Sequence, residues 1–471
     1  LNVDSRARNL GSPTEANSTG RKLSLRTLFI VVSIPLLMFG IFGSLPMAFV
    51  TAFGLIWIYF AVLIEPVASK GLSAARLYVP IFIIYNGIAL TAPGLRHGTD
   101  ILLMTLLSAV GFLSGWLIGL PRRSKICPAG IDGTRRNDTV FRRPVVLLAT
   151  FVTIAVYGVF LVRAGTLPIF TANPNVARVD FLPNGYVSTV VVIGLHIMIA
   201  CGLVEAFLLR SRRAKLVPLA LLVVGSAMAF AMGNRGVAIN PIVFATLFVL
   251  WQKNFSLRKL IPIGLIAVLA LSIAGYFRNL SSWGQTYVSD LEMQGFSGAG
   301  VWLAPVMNYV FGTAQTFDTT ITFFPATIPF QSGAQFFSPF LLEQSADLYL
   351  KQVFGLRFDG GGLALGSVNA FYLDWGFLGT FLGPVIYGFV AACIYRRALL
   401  SADMKWSFLY CFILMQLIFS VYGHPFAYLT YFIEPFLFFW LIVPVQASPA
   451  SALASTKFHP ARGMPSMRGG R

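Results

Sequence analysis

Apolar runs of about twenty residues recur from residue 27 to residue 445, and no other feature limits the fold so tightly. A helix rising about 1.5 Å per residue crosses a hydrocarbon core of about 30 Å in one such run. Inside lipid every backbone N–H and C=O must be paired within the protein, which leaves only helices and closed barrels. A barrel needs short alternating segments, whereas these runs are continuous. An all-α, polytopic integral membrane protein is therefore expected. Composition agrees, since 11% of residues are charged against about 25% in a soluble domain.

The runs predict about twelve transmembrane helices, near residues 27–43, 45–64, 77–94, 101–120, 145–163, 186–208, 217–233, 237–251, 260–277, 369–395, 406–422 and 426–445. Short loops rich in Lys and Arg resist translocation, so the placing of cations sets orientation. With both termini in the cytoplasm, 28 of the 35 Lys and Arg residues fall inside. Outside remain Arg96, Arg163, Arg178, Arg235, Arg278, Lys351 and Arg357. This sorting accounts for the net charge of +18 without nucleic acid, and no nucleic-acid partner is expected. Five segments follow: a basic disordered arm (1–26), spans one to nine (27–277), a long extracytoplasmic loop (278–368), spans ten to twelve (369–445) and a basic cytoplasmic tail (446–471). The arm is too long and too polar for a usual cleavable signal, so the first span is expected to stay as an anchor. The four cysteines are scattered without C-x-x-C spacing, and neither a disulfide scaffold nor a zinc site is indicated.

The long loop concentrates the acidic residues Asp290, Glu292, Asp318, Glu343, Asp347 and Asp359, with Asp374 at its exit. Ser338, Pro339 and Gly355 punctuate one amphipathic helix, with Glu343, Asp347 and Lys351 on its wet face. The glycines at 360–362 lack the order of a phosphate-binding P-loop and suit a close backbone approach.

Cations kept outside against the general sorting are the first candidates for chemistry. Arg235, in the turn Asn234-Arg235-Gly236, either grips a diphosphate with its planar fork or snorkels to the interface. Arg178 either meets the same anion or pairs with Asp180. Arg278 and Arg357 are diphosphate ligands or interfacial anchors. Of four histidines, His424 is the candidate general base, while His196, deep in a span, suits a hydrogen bond between helices. Glu205 and Glu434 are costly in lipid, and Glu434 is expected to face the bundle interior. Asp359 and Asp374 are candidates for positioning an acceptor hydroxyl. Asp290 and Glu292 form a weak metal-binding pair, so a metal-independent site without cofactors is expected.

Gly233-Asn-Arg-Gly236, Arg178, and Gly360-Gly-Gly-Leu-Ala-Leu-Gly-Ser-Val-Asn-Ala-Phe-Tyr-Leu-Asp-Trp-Gly-Phe-Leu-Gly379 together resemble bacterial O-antigen and oligosaccharide repeat-unit polymerases, which are related to O-antigen ligases. The residue eleven after Arg178 is Thr189, where some members carry glycine. The resemblance implies a lipid-dependent glycosyltransferase of GT-C-like architecture in the bacterial inner (cytoplasmic) membrane, acting on undecaprenyl-diphosphate-linked glycans as donor and acceptor. It implies that Arg178 and Arg235 hold the diphosphate, that the long loop shapes the sugar groove, and that a chain-length regulator and a flippase are partners. The expected product is a surface polysaccharide: O-antigen, capsule or exopolysaccharide. Two alternatives stand beside it, an O-antigen ligase and a transporter or flippase of lipid-linked glycans.

Overall fold

The computed structural model describes residues 72–120, 140–171, 177, 180–181, 186–209, 211–233, 235–253, 269, 272–273, 275–277, 279–280, 284, 287–289, 291, 301–341, 346–356, 363–401, 403–423 and 430–444. All of them belong to one compact unit, Val67–Arg471. Among the described residues the regular structure is entirely helical. The α-helices are α1 (Ala74–Ala89), α2 (Gly98–Gly119), α3 (Arg143–Ala164), α4 (Tyr186–Leu208), α5 (Leu216–Ala231), α6 (Arg235–Gln252), α7 (Ala304–Phe323), α8 (Ala334–Leu341), α9 (Ala346–Val353), α10 (Ser367–Leu400), α11 (Met404–Phe419) and α12 (Thr430–Leu437), the last running into a π turn, Phe438–Ile442.

Five helical stretches are long and apolar enough to cross a membrane: Gly98–Gly119, Arg143–Phe170, Tyr186–Leu208, Arg213–Ala231 and Ser367–Leu400. Four shorter apolar helices accompany them: Ala74–Ala89, Gly236–Gln252, Met404–Phe419 and Phe432–Ile442. These coincide with nine of the twelve expected spans; those at 27–43, 45–64 and 260–277 lie largely or wholly outside the described residues. Local chemistry sets several ends. Ser73 caps α1 by accepting the Arg76 N–H, Pro144 opens α3 where its missing donor costs nothing, and Asp403 caps α11 through the Lys405 N–H at 3.0 Å.

Burial separates central from peripheral helices. The apolar window of α4 is 67% buried and that of α5 only 17%, which puts α4 at the middle of its group. Tyr157 and Phe160 of α3, Leu195 and Met198 of α4, and Val237 of α6 form one core there. Phe151, Val159 and Val162 of α3 and Val223 of α5 point outward, as befits helices whose solvent is hydrocarbon. On the other side α2 and α10 pack backbone to backbone. Gly111, Gly115 and Gly119 repeat every fourth residue, and a Cβ on Gly115 would overlap the Val385 carbonyl oxygen. Small residues at this spacing are what close association of apolar helices requires.

The rings of Trp116, Trp251, Tyr395 and Tyr410 meet at centroid distances of 4.9–5.9 Å. They gather where α2, α6 and α10 end and α11 begins, so the basic links attached to those helices leave from one end of the bundle.

Two features depart from expectation. The helix expected over 338–355 is two shorter ones, α8 and α9, and α8 begins four residues before Ser338. Gly355 does follow the second, at φ 66°. The tenth span is broken at Gly376, whose φ of 62° and ψ of −147° belong to glycine alone. Cβ atoms placed on Gly379 and Gly383 would overlap the carbonyl oxygen and ring of Phe371. Residues eight apart in a straight helix lie about 12 Å apart along the axis. The chain therefore folds back at Gly376, and only residues 377–400 form the long apolar arm.

Candidate functional site

Breaking a helix frees backbone carbonyls, and these must find donors when buried. The segment before α8 supplies them. The Gln331 N–H donates to the Leu373 carbonyl at 3.0 Å, and the Ser332 N–H donates to that of Asp374 at 2.9 Å. The Asp374 carboxylate, 1% exposed, returns the contact by accepting the N–H groups of Gln335 at 3.1 Å and Phe336 at 2.9 Å. It is thus the N-terminal cap of α8, supplied from another helix. Both of its oxygens are committed to that task. Tyr372 adds a bond from its hydroxyl to the Phe324 carbonyl at 2.9 Å.

The start of the described long segment is anchored in a similar way. Asp318 of α7 is buried, and its Oδ1 accepts the N–H groups of Arg96 at 2.9 Å and His97 at 2.6 Å. These residues form the turn between α1 and α2. Lower on α7, the Thr313 hydroxyl meets the Tyr85 hydroxyl at 2.8 Å, which seats α7 along α1. Ala314 and Val310 continue that seam against Ala89 and Ala92. Residues 304–323 are therefore part of the packed bundle, carrying polar side chains into its surface.

Between α7 and the α1–α2 turn lies an open cleft of about 360 Å³, bordered by Pro93, Arg96, Gln315, Thr319, Thr322 and Phe323. That falls in the ordinary range of small-molecule sites, about 300–1,000 Å³. Farther down, a smaller cavity of about 10 Å³, counted as room for the centre of a water molecule, is lined by Asn86, Thr313, Ser367 and Asn369. Both side-chain polar atoms of Asn369 are buried and have no partner among the described residues. A single water is the natural occupant of a space of that size.

Midway along α4, His196 Nδ1 lies 2.7 Å from Glu434 Oε2, with both side chains almost wholly buried. This is the interhelical hydrogen bond expected of His196, and Glu434 faces the interior as expected. Glu205 is also buried and accepts the N–H groups of Val140 and Phe141 at 3.3 Å, tying the entry of α3 to the end of α4.

Of the candidate residues, Asp374 is the one whose side chain is described. Arg235 opens α6, as the turn-then-helix pattern implied, but its side chain is outside the description. Arg178, Arg278, Arg357, Asp359 and His424 lie outside the described residues, as do Asp290, Glu292 and Glu343. Among the described residues no group of three or more His, Cys, Asp and Glu side chains is placed to hold a metal ion. Arg96 and Asp318 were not singled out from the sequence as site residues. Arg96 nevertheless satisfied the same criterion as the four arginines that were, being a cation on the side the sorting leaves poor in cations. Comparison with protein-family models, curated proteins and solved structures finds no match.

Proposed function

We propose that this chain is a lipid-dependent membrane glycosyltransferase that polymerises undecaprenyl-diphosphate-linked oligosaccharide units into a surface polysaccharide. It works at the outer face of the bacterial inner membrane, with twelve spans and both termini in the cytoplasm. The observation that carries this reading is the seating of α7 on the α1–α2 turn beside a cleft of ligand size. In the twelve-span topology both elements face outward, so the segment 278–368 acts as the wall of a groove. The gathering of basic links at one end of the bundle supports the same topology.

The chemistry needs little from the protein beyond charge and position. An acceptor sugar hydroxyl bonds to the anomeric carbon of the donor as the bond from that carbon to the diphosphate oxygen breaks. The bonding pair leaves with undecaprenyl diphosphate, the hydroxyl proton passes to His424, and configuration inverts. Arg178 and Arg235 stabilise the departing negative charge, helped by Arg278 and Arg357. Asp359 orients the acceptor hydroxyl. The buried bonds of Asp374 support a positioning role through α8 in place of direct contact with the acceptor.

Arg178→Ala and Arg235→Ala are expected to abolish long polymer in cells while leaving protein levels normal. Full-length polymer from both variants would sink the arginine clamp. A transport reading has one observation in its favour, the buried His196–Glu434 pair deep in the bundle, because ionisable groups at such depth commonly serve transport.

A further inference from the structure

We propose that the cleft between α7 and the α1–α2 turn is a saccharide subsite in which Arg96 pairs with a negatively charged group on the glycan. The inference rests on the glycosyltransferase reading and names a substrate feature that reading leaves open. Its first ground is how Arg96 is held. The backbone N–H of Arg96 is fixed by the buried Asp318 carboxylate, while its side chain is exposed at the cleft and has no ion pair with any described residue. The backbone is anchored and the guanidinium is left available. Its planar guanidinium matches a carboxylate or phosphate with two parallel hydrogen bonds.

The second ground is the opposite wall. Gln315, Thr319 and Thr322 fall at i, i+4 and i+7 of α7, along one face. The Thr319 hydroxyl donates to the Gln315 carbonyl at 2.9 Å, and the Thr322 hydroxyl donates to that of Asp318 at 3.0 Å. With their protons spent, both oxygens are left as acceptors, which suits the hydroxyl donors of a sugar. The exposed Gln315 amide supplies a donor and a further acceptor. Phe323 and Pro93 give apolar surfaces for the C–H face of a sugar ring. A site for a bare polyanion would gather several cations, and a lipid-tail site would lack the hydroxyls and amide. Asp318 also borders the cleft, but it is 8% exposed and its Oδ1 accepts two backbone N–H groups, so Arg96 is the exposed charge on a lining of hydrogen-bonding groups. That arrangement selects a polyhydroxylated ligand with a single anionic substituent. The carboxylate of an acidic sugar and a sugar phosphate share that chemistry.

The test uses the full chain purified in lipid nanodiscs and follows modification of Arg96 by phenylglyoxal, read by peptide mass spectrometry. Exposed Arg163 serves as the internal control. Glucuronate, glucose 1-phosphate, glucose and inorganic phosphate are compared at equal ionic strength. At least one of the two anionic sugars is expected to protect Arg96 at about tenfold lower concentration than either glucose or inorganic phosphate, the charge-assisted hydrogen bond supplying the factor over glucose and the sugar hydroxyls on the α7 wall that over inorganic phosphate. Protection by glucuronate alone assigns an acidic sugar, and protection by glucose 1-phosphate alone assigns a phosphate. Thr319→Val with Thr322→Val is expected to remove most of that advantage over inorganic phosphate. Equal labelling under all four probes overturns the proposal, as does protection by inorganic phosphate equal to that by the sugars. Polymer synthesis with an unprotected Arg96 defeats the subsite alone, whereas protection without glycosyl transfer defeats the enzyme reading alone.

Discussion

Asp374 shows how a carboxylate in an apolar sequence acquires its role from a partner distant in the chain. From sequence it stands beside a glycine-rich run at the exit of a long outer segment, where an acceptor-orienting acid would be useful. In the fold its two oxygens cap α8, nearly forty residues earlier. Removing it strands two N–H groups in a buried place, at a cost of about 1–3 kcal/mol. Asp374→Ala is therefore expected to lower the thermal unfolding midpoint and to open residues 331–341 to limited proteolysis, with Asp374→Asn milder on both counts. If Asp374→Asn keeps wild-type stability and protease resistance but loses all polymer synthesis, the carboxylate has a chemical task beyond capping. His196 and Glu434 were more legible. A histidine and a glutamate within apolar spans have few affordable states other than a shared bond, although their pairing with each other required the fold. Arg178, Arg278, Arg357, Asp359 and His424 lie outside the described residues, and their chemistry rests on the sequence alone.

The same long-range cap explains why the helix expected to open at Ser338 begins earlier. Ser338 and Pro339 are strong local start signals, but Asp374 offers a cap four residues earlier, and α8 begins there. The hairpin at Gly376 was hidden for another reason. Hydropathy is similar on both sides of the break, and an isolated glycine in an apolar span usually signals close packing. Gly379 and Gly383 have that use, whereas Gly376 makes the reversal itself. A side chain at Gly376 must adopt a φ of 62° and place its Cβ 2.7 Å from the Phe330 ring. Gly376→Ala is expected to cost about 1–3 kcal/mol in backbone strain alone, measured as a lower unfolding midpoint in detergent. An unchanged midpoint would mean that residues 371–383 do not fold back as described.

At the scale of the whole molecule, hydropathy and charge carried most of the architecture. Nine apolar helices fall where nine spans were expected, because a twenty-residue run has one economical use in lipid. The packing role of α7 was not legible. Its mixture of Thr, Gln, Asn and Asp lacks a span's hydropathy, and it joins the bundle through the bonds to Tyr85, Arg96 and His97 and the seam of Val310 and Ala314 against Ala89 and Ala92. In the proposed topology that placement makes the segment the wall of a groove, and the wall is central to the functional account. The most direct test is to incubate the purified full chain, reconstituted in liposomes, with undecaprenyl-diphosphate-linked repeat units and to resolve the lipid-linked products by size. The account predicts a ladder growing one repeat at a time on the lipid carrier. Transfer solely to lipid A, or movement of the units across the bilayer without any new glycosidic bond, would contradict it.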